Sequence, residues 1–296
     1  MSPDQPANPE TARIAAEPDA AVALARLRGI RHVALDMDVT IYRGAALFES
    51  TVPFLELLGR LGIGFTFLTN NPTKSLADYL AHLRQLGLPA APGQLYTSTQ
   101  ATIEYLQTQW PQVRRLFVLG TASMCAEVAA AGYELLPDDP GAAPDAVLVG
   151  FDTTLTYARL CRAAWWIAQG RPWFGTNPDR VCPTNLPTVL VDCGSICAAL
   201  RTATGRPPVA VLGKPDPAML RGILRRHGLQ PGQLAMVGDR LYTDIEMARR
   251  AGAFGVLVLT GESSAEDAAK TSPPPDLVVP TLAELGRLLA NAQKSP

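Results

Sequence analysis

One short stretch, His32 to Thr40, constrains the fold of this chain more than any other. The apolar run Val33–Leu35 is too brief for a helix and is typical of a buried strand in a parallel sheet. Asp36 and Asp38 follow it directly, and ligands of open α/β sheets bind beyond the carboxyl ends of the strands. Because two close carboxylates repel each other, we expect a cation or a shared proton between them. An isolated Asp-x-Asp is also ordinary turn chemistry, so its interpretation depends on the rest of the chain.

Strand-like runs alternate with helical patterns along the chain, which predicts an α/β fold with a doubly wound parallel sheet. The strands predicted for this main sheet are residues 33–35, 63–68, 208–212, 234–237, 255–261 and 277–279. Residues 102–193 repeat the alternation with strands and helices of their own, which indicates a second α/β domain inserted into the first. We therefore expect a core of residues 19–101 and 194–296, preceded by a loose tail at residues 1–18.

Composition excludes several classes of function. The hydrophobic fraction of 47% and the charged fraction of 18% are those of a globular protein. The net charge of −1 provides no electrostatic attraction to nucleic acid or an anionic membrane. No apolar stretch approaches the ~18 residues of a membrane span. Five cysteines without a Cys-x-x-Cys pair, and the absence of a secretion signal, predict reduced thiols and a cytoplasmic protein. The three histidines lack the spacing of a zinc site.

Polar groups follow four of the predicted strands, and in a parallel sheet they would converge on one crevice. They are Asp36 with Asp38, Thr69 with Asn70, Lys214 between Gly213 and Pro215, and Asp239 with Asp244. Several carboxylates without His or Cys form a hard, oxygen-rich site that suits Mg²⁺. A lysine and an Asn/Thr turn can hold a phosphoryl group, and one aspartate can attack phosphorus while its neighbour protonates the leaving oxygen.

This set of motifs, in this order, resembles the haloacid dehalogenase-like hydrolase superfamily over residues 30–285. The four motifs are Asp36-x-Asp38-x-Thr40, Leu68-Thr69-Asn70, Gly213-Lys214-Pro215 and Gly238-Asp239-x4-Asp244. A long insertion between the second motif and the lysine is similar to the type with a C2 cap. In detail, Thr69-Asn70-Asn71 and Thr176-Asn177-Pro178-Asp179 are similar to the branch of NagD-like, p-nitrophenyl phosphatase-like and pyridoxal phosphate phosphatases.

The resemblance implies a role for each matching residue. Asp36 would be the nucleophile and Asp38 the acid/base, with Mg²⁺ as the cofactor. The implied metal ligands are Asp36, Asp38 (through its main-chain carbonyl), Asp239 and Asp244. The implied phosphate- and substrate-binding residues are Thr69, Asn70, Asn71, Lys214, Asn177 and Asp179. The cap loop 175–183 would face the leaving group of the substrate.

One residue departs from the family pattern. The position after the second aspartate is usually Gly, and here it is Val39. If that position needs a positive φ, a β-branched residue is strained there. Two hypotheses follow: a Mg²⁺-dependent phosphatase of a small phosphorylated metabolite, acting through an aspartyl phosphate, and a catalytically weakened binding or regulatory protein on the same fold.

Phosphoryl transfer to a second substrate is disfavoured by the type of cap, and a receiver-type signalling domain is disfavoured by the length of the chain. The substrate stays open among sugar phosphates, nucleotides, phosphoglycolate and pyridoxal phosphate, because the cap sets specificity by its shape. A homodimer through the cap is a further expectation from the resemblance.

Overall fold

The computed structural model describes residues 18–183 and 187–294. The chain divides into two units, residues 1–67 with 223–296 and residues 68–222. The predicted tail, residues 1–18, lies outside the described residues apart from Pro18. The predicted limits of the inserted domain, residues 102 and 193, lie within the second unit and stay a prediction.

The first unit consists of two chain segments, one before and one after the second unit in the sequence, and strands alternate with helices in both. Before it come α1 (Pro18–Gly29), β1 (His32–Asp36), β2 (Tyr42–Arg43), β3 (Ala46–Leu47), α2 (Thr51–Arg60) and β4 (Gly64–Thr69), whose last two residues belong to the second unit. After it come α8 (Ala218–His227), which begins in the second unit, β13 (Leu234–Gly238), a π-helical turn (Leu241–Ile245), α9 (Glu246–Ala251), β14 (Phe254–Val258), α10 (Ala265–Lys270), β15 (Leu277–Val279) and α11 (Leu282–Lys294).

The strands of the first unit lie in the order β15-β14-β13-β1-β4. The pairs β1–β13, β13–β14 and β14–β15 are parallel, and Leu35 lies opposite Val237. Every residue of β1, β13 and β14 is buried, as expected of strands covered on both faces. The predicted fold class, an α/β fold with a parallel sheet, is confirmed. This register brings Asp36 and Gly238 to the same carboxyl edge.

The second unit carries its own series of elements. They are α3 (Leu76–Gln85), β5 (Leu95–Thr97), α4 (Ser98–Gln109), β6 (Arg115–Leu119), α5 (Ala122–Ala130), β7 (Glu134–Leu135), β8 (Ala146–Val149), α6 (Tyr157–Ala168), β9 (Trp173–Gly175), β10 (Val181–Pro183), β11 (Val189–Val191), α7 (Cys193–Thr204) and β12 (Ala210–Val211). Local sequence explains several helix starts. Ser75 and Asp78 form a capping box at α3, and Thr97 and Gln100 form one at α4.

A parallel sheet in the order β12-β9-β8-β6-β7 lies within the second unit. The prediction that residues 208–212 belong to the main sheet is wrong, because β12 pairs with β9, with Val211 opposite Gly175. An apolar run shows that a strand forms but not which strand it pairs with, since pairing depends on contacts distant in sequence. As a result, Gly213 and Lys214 follow a strand of the second sheet.

Alternating residues of the second sheet pack on opposite faces. Phe117 and Val147 belong to a buried cluster with Trp166 of α6, whereas Val118 and Leu148 belong to another with Val128 of α5 and Leu106 of α4. Successive side chains of a strand point to opposite faces of the sheet, and here both faces are covered by apolar layers. The strands are therefore continuous apolar runs in the sequence.

In the part of the chain that the structure describes, no helix is both long enough and apolar enough to cross a membrane. All five cysteines are free thiols, with Cys193 and Cys197 buried and Cys161 exposed.

Candidate active site

Three carboxylates meet at the carboxyl edge of the first unit's sheet. Asp36 ends β1, and Asp239 follows β13, its parallel neighbour. The π-helical turn after β13 carries Asp244. One oxygen from each of these three side chains lies within 4.8 Å of the others, and the residues are 8%, 1% and 0% exposed.

The loops around these carboxylates hold them by main-chain hydrogen bonds. The amide of Glu262 donates to Asp239 Oδ2 at 2.8 Å, and the amide of Arg240 donates to Asp244 Oδ2 at 3.1 Å. Two glycines make room for the same side chains. A Cβ at Gly238 would overlap the carboxyl group of Asp244, and a Cβ at Gly261 would overlap that of Asp239. Gly261 is thus needed for the position of the Asp239 side chain, although it belongs to none of the sequence motifs.

This cluster, formed by Asp36, Asp239 and Asp244, fits a divalent cation. Three buried carboxylates this close together repel each other in the absence of a positive charge. Carboxylate oxygens without nitrogen or sulfur ligands suit Mg²⁺ or Ca²⁺ rather than zinc. The side chain of Asp38 does not belong to the cluster and is exposed.

Arg240 is a charged residue of this region that sequence reasoning missed. Its Nε lies 2.9 Å from the carboxylate of Glu262. Burial lowers the pKa of Arg240, but electrostatic interactions with Tyr242, Asp239 and Asp36 outweigh burial and raise it above its ordinary value. The guanidinium therefore carries a permanent positive charge close to the carboxylates of Asp239 and Asp36. The sequence feature that could have identified Arg240 is its position directly after Asp239.

Val39 has the positive φ that the family pattern suggests for a glycine, at +53°. Its amide donates to the carbonyl of Tyr42 at 2.7 Å, and its carbonyl accepts from the Thr260 hydroxyl at 2.6 Å. Hydrogen bonds to its amide and to its carbonyl thus hold Val39 in the left-handed region, where β-branched residues are rare.

In the second unit, the side-chain amide of Asn70 pairs with the main chain of Lys214. Asn70 Oδ1 accepts from the Lys214 amide at 2.7 Å, and Asn70 Nδ2 donates to the Lys214 carbonyl at 3.0 Å. Asn70 Nδ2 also donates to Asp179 Oδ2 at 3.0 Å, which in turn accepts from Asn177 Nδ2 at 3.2 Å. The structure therefore joins four of the predicted site residues in one network, and Asn70, Asn177 and Lys214 are all buried.

Thr69 and Asn71 take other partners. The Thr69 hydroxyl oxygen accepts from the amide of Asn71 at 3.1 Å, so its own proton can be donated elsewhere. The side-chain oxygen of Asn71 accepts from the amide and hydroxyl of Thr73, at 2.9 and 2.7 Å, which fixes the turn before α3.

Comparison with known proteins identifies the family. The family model described as haloacid dehalogenase-like hydrolase matches residues 33–134, and a HAD-hydrolase-like model matches residues 211–285. A 4-nitrophenylphosphatase of known structure from Thermotoga maritima is 36% identical, with a TM-score of 0.83 over 88% of this chain and 98% of that protein. The chain belongs to the haloacid dehalogenase-like hydrolases.

Two further comparisons match glycerol phosphate phosphatase of Mycobacterium tuberculosis, one by sequence and one by structure. A D-glycerol 3-phosphate phosphatase is 36% identical over 81% of this chain, which spans 65% of that protein. The structure of a glycerol phosphate phosphatase in complex with magnesium is 34% identical, with a TM-score of 0.79 over 89% of this chain and 78% of that protein. The predicted branch is confirmed, and this member of the family is a phosphoric monoester hydrolase.

Proposed function

We propose that the chain is a Mg²⁺-dependent phosphatase of a small phosphorylated metabolite, acting through an aspartyl phosphate. The observation that carries this proposal is the cluster of Asp36, Asp239 and Asp244, whose oxygens lie within 4.8 Å of one another. The cluster supports the assignment of these three side chains as metal ligands. We propose the main-chain carbonyl of Asp38 as a further ligand. The magnesium complex of the mycobacterial relative supports the choice of metal.

In the proposed reaction, a carboxylate oxygen of Asp36 attacks phosphorus and the ester oxygen leaves. Asp38 donates a proton to that oxygen, which releases the alcohol. Asp38 then takes a proton from water, and the water oxygen attacks phosphorus. The acyl phosphate bond breaks, phosphate leaves and the Asp36 carboxylate is restored. Asp38 is exposed, so its carboxyl group is accessible to the leaving oxygen and to the attacking water.

The bound metal ion would neutralise negative charge on the phosphoryl oxygens. Among the residues themselves, we propose that the Thr69 hydroxyl, Asn70, Asn71 and Lys214 bind the phosphoryl group. Lys214 is buried, and a buried ammonium offsets negative charge more strongly than an exposed one.

For the substrate, we propose a small phosphomonoester of a polyol or sugar. The naming of the mycobacterial relative as a D-glycerol 3-phosphate phosphatase supports this class. We propose that Asp179, on the loop that follows β9, contributes to substrate binding. Asn177, which is fully buried, would contribute by holding Asp179 in place. A cytoplasmic location and a homodimer stay predictions from the sequence.

The test is phosphate release from p-nitrophenyl phosphate, glycerol 3-phosphate and a panel of sugar phosphates, with Mg²⁺ and with EDTA. We expect Mg²⁺-dependent release that Asp36→Asn lowers by more than about 1000-fold, because the nucleophile is lost. Asp267→Asn, which changes an exposed aspartate in the first turn of α10, serves as the matched control. Full activity of Asp36→Asn would refute the mechanism. An inactive wild-type protein would favour the binding-protein alternative.

A further inference from the structure

The orientation of the Asn70 amide is fixed by what surrounds it. Its two Nδ2 hydrogens go to Asp179 Oδ2 and to the Lys214 carbonyl, and its Oδ1 accepts from the Lys214 amide. A flipped amide would place Oδ1 against a carboxylate oxygen and a carbonyl oxygen, and all three hydrogen bonds would be lost. The side chain of Asn70 is therefore fully used in holding Lys214, and its contact with a phosphoryl group would be made through its main-chain amide.

A second amide, that of Asn177, is fixed in the same way between two carboxylates. Asn177 Nδ2 donates to Asp179 Oδ2 at 3.2 Å and to Asp192 Oδ1 at 3.1 Å. Because both acceptors are carboxylate oxygens, the flipped amide would face two negative charges. Asn177 is 0% exposed and Asp192 is 4% exposed, so water does not compete for these bonds. Asp192 and Asp179 together therefore fix the orientation of the Asn177 amide, which links Asp192 to the carboxylate that Asn70 contacts.

The main chain on both sides of this network is closely packed. Gly213 has a φ of +77°, and a Cβ there would lie 2.7 Å from the Thr176 carbonyl oxygen and 2.8 Å from Asn70 Oδ1. At the other end, Gly194 donates its amide to the Asp179 carbonyl at 2.7 Å, and a Cβ there would overlap the Pro178 carbonyl. Displacement of Asp192 or of the loop 177–179 is therefore transmitted to the segment that carries Lys214.

We propose that Asp192 is a positioning residue of the phosphatase reaction, which holds the main chain of Lys214 in place through Asn177, Asp179 and Asn70. The inference rests on the proposed role of Lys214 at the phosphoryl group. Asp192 is also the N-cap of α7, where its Oδ1 accepts from the Cys193 amide at 2.5 Å. A merely structural cap would stabilise the helix without affecting Lys214, so the experiment must observe Lys214 directly.

The sequence provides a simple probe, because the chain contains only four lysines: Lys74, Lys214, Lys270 and Lys294. Protein labelled with [¹⁵N]lysine gives one main-chain amide signal for each, and Lys214→Arg identifies that of Lys214. We expect Asp192→Ala to move the Lys214 signal and to leave the other three in place, which also shows that the protein is folded. Asp192→Asn keeps an oxygen acceptor and should move the signal less.

The matched control is Asp145→Ala. Asp145 is another carboxylate of the second unit that accepts from main-chain amides, those of Arg114 and Arg115, but it lies outside the network. It should not move the Lys214 signal. An unmoved Lys214 signal in Asp192→Ala overturns the proposal. If Asp192→Ala does not fold, Asp179→Ala is measured in the same way, and an unmoved signal there overturns it equally.

Kinetics with p-nitrophenyl phosphate and Mg²⁺ provide the second measurement. We expect Asp192→Ala to lower kcat by about 10- to 100-fold with little change in KM, as for displaced supporting residues. In a Lys214→Ala background, the same substitution should have almost no further effect, because both changes act on one group. An equal loss in both backgrounds overturns the proposal. An inactive wild-type protein refutes the proposed function alone, since the amide signal of Lys214 is read without turnover.

Discussion

Val39 allows a test of how much strain the active-site turn stores. Its φ of +53° is held by hydrogen bonds from its own amide to Tyr42 and from Thr260 to its carbonyl, so the residue cannot leave the left-handed region without losing them. The informative comparison is Val39→Gly against Val39→Ala. Both variants remove the isopropyl group, so the loss of its packing largely cancels between them.

The magnitude follows from two opposing effects. A side chain with a Cβ costs about 1–2 kcal/mol in the left-handed region, and glycine avoids this cost. Glycine loses more chain entropy on folding than alanine, which costs about 0.4–1 kcal/mol. The difference leaves Val39→Gly more stable than Val39→Ala by about 1 kcal/mol, or roughly 1–2 °C in Tm for a protein of 296 residues.

Thermal unfolding of the two variants, followed by circular dichroism, measures this difference. Gly59 provides the control, because it lies in α2 and a Cβ there would contact nothing within 4 Å. Gly59→Ala should raise Tm, since helices favour alanine over glycine. The order of stability at Val39 should be the reverse. A Val39→Ala variant that melts at or above Val39→Gly would refute the strain at this turn.

Two other predictions concern the first unit. Gly261→Ala would push Asp239 out of the carboxylate cluster, so it should weaken Mg²⁺ binding, measured as a smaller Mg²⁺-induced rise in Tm, whereas Gly59→Ala should leave that rise unchanged. Burial, with a smaller effect of His227, lowers the pKa of His32 from 6.5 to about 4, so the folded state binds this proton less readily than the unfolded state. The stability that comes from a neutral His32 is complete above pH 6.5 and is lost as the pH falls towards 4, by about 2 kcal/mol between pH 7 and 5. Denaturant unfolding of wild type and His32→Gln measures this loss, and an equal pH dependence in both would contradict it.

Local features of the sequence were sufficient to predict much of the core. The run Val33–Leu35 and the acids after it could be interpreted as a strand end in a parallel sheet, because strand formation and turn chemistry depend on neighbouring residues. The same holds for Asp239 after its strand. Once β1 and β13 are parallel neighbours, Asp36 and Asp239 must lie at one edge. The signal for Lys214 was its place between Gly213 and Pro215, although the sheet to which its strand belongs was predicted wrongly.

Other features of the candidate site depend on contacts that have no local signature. Asp38 and Asp244 are equally prominent in the sequence, but only the carboxylate of Asp244 joins the cluster with Asp36 and Asp239, because a π-helical turn directs it there. Gly261 is one glycine among 24 until its close approach to Asp239 is seen.

The sequence by itself determined the family, the order of strands and helices, and the residue types available for phosphoryl chemistry, since these are properties of short segments and their spacing. Only the tertiary structure decided which carboxylates form a cluster, which sheet carries Lys214, and that Asp192, in no motif, is linked to Lys214. Such relations arise from strand pairing and close packing between residues far apart in the chain, and the pattern of one segment does not specify its distant partner.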